Sequence, residues 1–275
     1  FPSSLSCSAK LQTCASLVAG AAVPARSRIE PALGHSQRDW VGGVYTPSEE
    51  AGDCPQFCRA LVASMQAHPN FRFIGGARIS DVRREGRALH AVQAGGEWIA
   101  ADRFVLALGA ESVEFARLLD LRLPLYPLKG YSITVPLEDE ASRTAAPQVS
   151  ITDIARKIVY ARLGQRLRVA GRIELVGQDR SIPPAAIEEL KIGLRELCPG
   201  CALGEDATLS PWMGFRPATP SGVPIVGASP VENLHFNIGQ GALGWTLACG
   251  SAALVADQIA GRRRAIDDTA FQYRS

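Results

Sequence analysis

The sequence contains no apolar run of the ~18–20 residues that a membrane-spanning helix requires. The stretch Leu247 to Ala260 is too short and is interrupted by Asp257. An excess of one charge is also lacking, because 29 basic residues face 27 acidic ones and the net charge is +2. This balance gives no reason to expect a nucleic acid or an anionic membrane as a partner. The composition predicts a soluble or peripheral protein, and its 47% of hydrophobic residues suffices for a sizeable core.

The amino-terminal residues 1–27 contain no acidic residue, and the chain begins with Phe1. They are rich in Ser, Ala and Cys, but they lack the charged region and long apolar core of a signal peptide. A targeting peptide is one interpretation, and the ragged end of a fragment is the one we favour. We expect residues 1–40 to be a segment that either matches no known domain or is disordered.

The seven cysteines are an odd number. Cys198-Pro-Gly-Cys201 has the spacing of a redox pair or of zinc ligands, and Cys54 and Cys58 lie one turn apart on a predicted helix. A four-thiolate zinc site would require the two pairs to meet in space. Because Pro199-Gly200 is typical of a turn that closes the preceding helix, we favour reduced thiols and predict no metal site.

Residues 41–122 read as short strands and two helices. Asp53 is a predicted N-cap, with Pro55 in the first turn of a helix that runs to about Ala67. The apolar run Phe104–Gly109 is typical of a buried parallel strand, and a helix is predicted behind it at Ser112–Leu119. Glycine turns separate the other predicted strands, which are Val41–Tyr45, Phe71–Ile74, Ala77–Arg83, Leu89–Ala94 and Trp98–Ala101.

Residues 123–212 have a different character, because predicted strands follow one another without long helices between them. Such strands are expected to be antiparallel, and a single amphipathic helix at Pro184–Leu197 completes an α+β domain. Residues 213–275 return to the first pattern, with a strand at Leu234–Ile238 and a helix at Gly244–Gly261. The fold class is therefore α/β plus α+β. The strands predicted in the middle region are Leu125–Pro136, Gln148–Thr152, Lys157–Ala161 and Leu167–Glu174.

Two glycine-containing segments are candidate sites. The glycine-rich turn within Ile238–Thr246 opens a helix, so its backbone N–H groups can hold an anion or a polar ring edge at the positive end of the helix dipole. The glycine at the end of Phe104–Gly109 would let a ligand approach the backbone closely. The alternatives are a simple connection for the first segment and a core strand with a turn for the second.

Two further segments carry polar groups in a fixed backbone. Within Gly214–Gly227, Arg216 lies between Phe215 and Pro217, and a rigidly held guanidinium can bind a carboxylate with two hydrogen bonds. The alternative is a surface arginine in a proline-rich loop. The extended segment Pro124–Ser132 lies at the change of domain, and its alternative is a plain crossing strand.

Taken in order along the chain, these segments resemble the D-amino acid oxidase-like flavoproteins, and most closely the small-subunit type of bacterial D-amino acid dehydrogenase. The resemblance covers about Glu30 to the carboxyl terminus. The motif Gly239–Gly250 is the most specific part of the resemblance, because the family has almost the same residues there. The other matching segments are Glu49–Cys54, Tyr126–Ser132 and Gly214–Pro217.

The resemblance implies an incomplete FAD-binding Rossmann-like domain, residues 41–122 and 213–275, and an antiparallel-sheet substrate domain, residues 123–212. Arg216 would clamp the substrate carboxylate, and Lys129 and Tyr131 would line the flavin and substrate side. Gly109 would lie near the pyrophosphate of FAD, and the backbone of Ala77 would meet the adenine. The residues implied at the flavin are Gly239, Gly241, Leu243, Gly244, Trp245 and Thr246.

The implied reaction is hydride transfer from the Cα atom of a D-amino acid to the flavin, followed by hydrolysis of the imine to a 2-oxo acid and ammonia. In the dehydrogenase type the electrons pass to a respiratory acceptor, a quinone. The implied location is cytoplasmic, with peripheral association at the inner face of the bacterial cytoplasmic membrane.

One departure from the family concerns the amino terminus. The family begins with a strand, G-x-G-x-x-G and a helix, which hold the FAD pyrophosphate. Nothing in residues 1–40 matches this unit, and Ala19-Gly20-Ala-Ala lacks the later glycines. The alternatives to a dehydrogenase are therefore a non-catalytic remnant that binds no FAD, or a glycine or sarcosine oxidase-type enzyme.

Overall fold

The computed structural model describes residues 12–16, 27–201 and 209–274. The chain divides into two compact units. Unit 1 comprises residues 1–71, 130–174 and 179–214, and unit 2 comprises residues 72–129, 175–178 and 215–275. Residues 41–71, which we expected in the nucleotide-type region, thus group with unit 1. Two other boundaries, 129/130 and 214/215, lie inside strands and near those expected at 122 and 212, and the short segment 175–178 also groups with unit 2.

A seven-stranded sheet with the order β11-β7-β10-β9-β8-β1-β2 dominates unit 1. The pairs β8/β9 and β9/β10 are antiparallel, as predicted, whereas β1 runs parallel to β8. Strands β7 and β11 each contain one of the boundaries between the two units. The strands are β1 Gln12–Ser16, β2 Glu50–Ala51, β7 Tyr126–Pro136, β8 Ser150–Asp153, β9 Ile158–Leu163, β10 Arg166–Glu174 and β11 Trp212–Ala218.

Helix α4 supplies one wall of the unit 1 core. Its observed bounds, Pro184–Leu197, are those predicted from its period, and Leu190 and Leu194 are fully buried in the core cluster. The helix approaches β9 closely at Gly193, where a Cβ atom would lie 2.8 Å from the Ile158 Cδ1 atom. A larger residue at this position would require the end of the Ile158 side chain to shift. Unit 1 also contains α1 Cys54–Gln66 and α3 Glu140–Ala145.

Glu30 is a buried carboxylate that joins distant parts of unit 1. Its Oε1 atom accepts a hydrogen bond from the Ala32 N–H (2.9 Å). Its Oε2 atom accepts from the N–H groups of Gln148 (2.7 Å) and Val149 (2.8 Å). Buried backbone donors require such partners, so one side chain fixes the amino-terminal segment to the start of β8.

Unit 2 contains two three-stranded sheets, β3-β4-β5 and β12-β13-β6. In the second sheet β13 pairs with β6 in parallel and with β12 in antiparallel orientation. The side-chain amide of Asn233 connects the two sheets, because it bonds both the N–H (2.8 Å) and the carbonyl (2.7 Å) of Leu89. The strands are β3 Ile79–Glu85, β4 Ala88–Ala94, β5 Glu97–Ala100, β6 Phe104–Leu106, β12 Ile225–Ala228 and β13 Leu234–Ile238, and the helices are α2 Ser112–Arg117 and α5 Gly244–Ile259.

Two predicted strands are wrong. The segments Val41–Tyr45 and Phe71–Ile74 form no strand, and Val41 is 88% exposed. Strand-forming residues are not sufficient for a strand, because a strand also needs a neighbouring strand with which to form a ladder. Conversely, no strand was predicted at β11 or β12; β11 is a neighbour of β7 from elsewhere in the sequence, whereas β12 pairs with β13, the next strand along the chain.

The cysteines also differ from expectation. Cys198 and Cys201 form a disulfide and are both buried, which corrects the prediction of reduced thiols there. Cys54 and Cys58 are free and exposed on α1. The N-cap of this helix is Asp53, as predicted, and its carboxylate accepts a hydrogen bond from the Gln56 N–H at 3.0 Å. Over the described ranges, no three His, Cys, Asp or Glu residues are grouped to hold a metal ion. Within the same ranges, no helix has the length and apolarity to cross a membrane.

Candidate functional site

The glycine turn between β13 and α5 is held in a conformation that requires glycine. Gly239 and Gly241 have φ angles of +82° and +55°, in the left-handed region. A Cβ atom on Gly239 would lie 2.7 Å from the Thr219 Cγ2 atom. Within the turn, the Gln240 side chain donates to the Asn237 Oδ1 atom at 2.6 Å. Backbone conformation and packing therefore both fix the turn.

The turn leads into α5 and leaves the start of that helix accessible. The helix has 16 residues and begins at Gly244, after a 3-10 turn at Gly241–Leu243. Leu243 is 58% exposed and Trp245 is 40% exposed. A long helix that starts at an open glycine turn presents N–H groups and the positive end of its dipole to a ligand.

Arg216 lies on the strand that borders this turn. Ala218, two residues further along β11, forms an antiparallel bridge with Gln240. The Pro217 carbonyl oxygen lies 4.0 Å from the position of a Cβ atom on Gly241. The Arg216 side chain is half-buried, and burial lowers the pKa of its guanidinium group. The structure thus brings together two segments that the sequence identified separately.

Gly109 lies at the same edge of the sheet as the glycine turn. Strands β6 and β13 are parallel, with Phe104 opposite Leu234 and Leu106 opposite Phe236. Gly109 follows β6 with a φ angle of +59°, and a Cβ atom there would meet nothing within 4 Å. Ligands of open parallel sheets bind at the carboxyl ends of the strands, where both glycine segments are found.

Ala77 lies in a cleft of about 670 Å³ within unit 2. The cleft is bounded by the start of β3 and by Leu108 and Glu111, next to Gly109. Arg78 and Glu114 form an ion pair in its lining, with 2.9 Å between the Nη2 and Oε2 atoms.

Lys129 and Tyr131 both lie on β7 and are both buried. The Tyr131 hydroxyl donates to the carboxylate of Glu174, and its ring belongs to the core of unit 1. Glu174 in turn accepts from the Arg172 Nε atom at 2.6 Å. A side chain so placed stabilises unit 1, and its part in substrate binding stays a prediction.

One polar cluster of unit 2 was missed by sequence reasoning. The Asp268 carboxylate accepts hydrogen bonds from Gln258 (2.7 Å), Arg264 (2.7 Å) and Gln272 (3.0 Å). Burial opposes ionisation of Asp268, but the bonds from Gln258 and Arg264 outweigh it and hold the pKa below the ordinary value. The cluster binds the segment after α5 to the helix through Gln258, and no local sequence motif predicts it.

Glycine turns and an accessible helix start at the carboxyl ends of parallel strands are typical of folds that bind a nucleotide cofactor. The sequence model of the FAD dependent oxidoreductase family matches residues 9–258, and the chain belongs to this family. The match begins within the segment 1–40 that we expected to be unmatched. Members of the family use FAD, so the predicted cofactor class is confirmed at the level of the family.

Its relatives include D-amino acid dehydrogenase 2 of Pseudomonas aeruginosa, which is 46% identical over 241 residues. That alignment covers 88% of this chain and 56% of the relative. D-amino acid dehydrogenase 2 of Ralstonia nicotianae is 48% identical over 242 residues, which cover 86% of this chain and 56% of that protein. The chain thus spans a little more than half the length of these curated relatives.

Solved structures show the same fold at low identity. Glycine oxidase from Geobacillus kaustophilus has a TM-score of 0.77 and 22% identity, and the match covers 90% of this chain and 64% of that one. L-proline dehydrogenase from P. horikoshii has a TM-score of 0.74 and 14% identity, with 92% and 67% covered. These structures confirm the predicted fold class.

The residues of unit 2 fit such a cofactor at two places. The open, glycine-lined start of α5 can receive a polar ring edge or a developing negative charge. The cleft at Ala77 and Leu108 has the volume for a base or a ribose.

Proposed function

We propose that the chain contributes the flavin-contacting and substrate-binding residues of a D-amino acid dehydrogenase, which converts D-amino acids to 2-oxo acids and ammonia. The support is its 44–48% identity to curated relatives of that name. The observation that carries the proposal is that the strand of Arg216 is bridged to the glycine turn at the start of α5.

The cofactor would be held by backbone groups. FAD, when bound, supplies the acceptor for the hydride that leaves the substrate Cα atom. The turn at Gly239 and Gly241 and the residues Leu243 to Thr246 would hold the flavin end, where the helix dipole stabilises negative charge. Gly109 would let the pyrophosphate approach the backbone, and the Ala77 backbone would bond the adenine.

The substrate would be oriented by Arg216. A guanidinium group can bind both oxygens of an α-carboxylate, which fixes the direction of the Cα–H bond. Partial burial strengthens this attraction, because the local dielectric constant is lower than that of water. Lys129 and Tyr131 on β7 are secondary candidates for this side of the site.

A quinone at the inner face of the cytoplasmic membrane is the acceptor that the dehydrogenase assignment suggests. If it is right, the FAD-loaded chain oxidises D-alanine with menadione as acceptor and consumes little O₂. Oxygen consumption at the same rate with and without menadione would contradict this part of the proposal.

The first test is the visible absorption spectrum of the purified chain after incubation with FAD and desalting. We expect flavin bands in near-stoichiometric amount. A colourless protein would overturn the proposal that this chain holds the cofactor.

The second test substitutes Arg216 in the FAD-loaded chain. We expect Arg216→Ala to lower kcat/KM for D-alanine by about 30-fold or more, mainly through KM, because a charged partner of the carboxylate is lost. Arg216→Lys should restore only part of the loss, since lysine cannot form the paired contact. The control is Arg84→Ala on the exposed side of β3. An unchanged KM in Arg216→Ala would remove the assigned role.

A further inference from the structure

A pair of thiols lies at the start of α1, within unit 1. Cys54 is the first residue of this helix and Cys58 follows four residues later, and both are free and exposed. Residues four apart lie on the same face of a helix, with their Cβ atoms about 5–6 Å apart. The two thiols are close enough to form a hydrogen bond with each other. The helix therefore presents two sulfur atoms side by side to the solvent.

The spacing of the two residues does not suit a disulfide. A disulfide requires Cβ atoms about 3.5–4.5 Å apart, which is closer than residues four apart on a helix can come. The first turn of α1 would have to unwind, and the hydrogen bond from the Gln56 N–H to the Asp53 cap would be lost. An atom inserted between the two sulfur atoms spans the longer distance and leaves the helix intact.

The surroundings favour two neutral thiols over two thiolates. Partial burial raises the pKa of Cys54, and Cys58 and Asp53 raise it further, whereas Arg168 lowers it and is outweighed. A divalent metal ion requires thiolate ligands. Over the described residues, no group of three His, Cys, Asp or Glu side chains could complete such a site. A ligand that takes up two thiols and releases water fits this pair better, because the reaction creates no net charge.

We propose that Cys54 and Cys58 form a dithiol site for trivalent arsenicals of the type R–As(OH)₂. Two S–As bonds form and two As–O bonds break, and each thiol proton leaves with a hydroxyl group as water. Arsenic stays trivalent, so no oxidant or reductant is needed. The second bond forms within one complex, where the neighbouring thiol has an effective concentration of about millimolar. The bridged adduct should therefore be about 100-fold tighter than an adduct with one thiol.

Peptide mapping with phenylarsine oxide, which hydrates to this form, tests the site on the intact chain. Cleavage after Arg38 and Arg59 releases peptide 39–59, which contains both thiols and no other cysteine. We expect mass spectrometry of this peptide to show one phenylarsenic group in place of two hydrogen atoms. The adduct should survive excess 2-mercaptoethanol and be removed by ethanedithiol.

Single variants show whether both sulfur atoms take part. Cys54→Ser and Cys58→Ser each leave one thiol, so 2-mercaptoethanol should remove their adducts and the affinity should fall about 100-fold. The matched control is Cys249→Ser, which removes an exposed free thiol outside the pair and should leave the adduct on peptide 39–59 unchanged.

A double variant tests the helical spacing. Gln56→Cys with Cys58→Ser keeps two thiols on the same peptide, but side chains two residues apart do not face each other on a helix. The backbone N–H of residue 56 remains available to the Asp53 cap. We expect the folded double variant to bind phenylarsine oxide about tenfold or more weakly than the wild type. In concentrated urea the two should bind equally, because an unfolded chain can bring either pair to one arsenic atom.

Three results would overturn the site. They are equal affinity of the folded wild type and the folded double variant, an adduct on peptide 39–59 that 2-mercaptoethanol removes, and arsenic found only on other cysteines. None of these measurements involves FAD or an amino acid, so the dithiol site and the proposed function stand or fall separately.

Discussion

Glu30 allows the sharpest test of the fold, because one carboxylate satisfies three backbone N–H groups. Two of them belong to Gln148 and Val149, more than a hundred residues away in sequence. Glu30 is 1% exposed, so water cannot simply replace the lost oxygens. Each buried donor left without a partner costs about 1–3 kcal/mol, and relaxation recovers part of the sum. We expect Glu30→Ala to lower the free energy of unfolding of unit 1 by about 3–5 kcal/mol.

The graded variant Glu30→Gln keeps one acceptor oxygen. It can still serve Gln148 and Val149, so we expect an intermediate loss of about 1–3 kcal/mol. The assay is urea unfolding followed by circular dichroism, with Glu97→Ala as an exposed control that should change stability by less than about 0.5 kcal/mol. If Glu30→Ala and Glu97→Ala unfold at the same urea concentration, the carboxylate does not hold the segment and the reasoning is refuted.

Three further predictions concern both units. Asp268 has a lowered pKa, so its ionised form stabilises the fold above about pH 4, and this contribution is lost as the pH falls through the folded-state pKa. Asp268→Asn should therefore lower the melting temperature at pH 7, and the difference in melting temperature from the wild type should shrink in acid. A difference that does not change with pH would contradict the assignment. Reducing the Cys198–Cys201 disulfide should cost about 2 kcal/mol in urea unfolding, the value for a short loop, and no shift on reduction would mean that the bond contributes no stability. Gly239 has a positive φ angle and a close contact, so Gly239→Ala should lower the free energy of unfolding by about 1–3 kcal/mol. Gly244 has an ordinary helical φ angle, so Gly244→Ala should be neutral or stabilising. Equal melting temperatures for the two variants would show that the turn is not rigid.

Elements with strong local signals were predictable. The bounds of α4 at Pro184–Leu197 and of β13 at Leu234–Ile238 agree with the sequence prediction. The Asp53 cap and Pro55 locate the start of α1. In each case the signal lies within the element itself, as a hydrophobic period, a cap or a bounding turn, so no distant residue is needed to read it.

The candidate site was predictable only in parts. The sequence identified Arg216, Gly109 and the turn at Gly239–Gly241 as separate segments, each with a plain structural alternative. Their grouping depends on the bridge from Ala218 to the turn and on the parallel pairing of β6 with β13. Neither pairing can be predicted from the spacing of residues along the chain.

The sequence by itself determined the α/β plus α+β class, the main helices and the resemblance to a flavoprotein family, because periodicity, caps and motif words are local properties. Only the tertiary structure decided where β11 forms, which backbone groups Glu30 satisfies, and that a cleft lies beside α5. The physical reason is that strand hydrogen bonds, buried polar partners and cavities are made by residues far apart in sequence, and their pairing is selected by the packing of the whole unit.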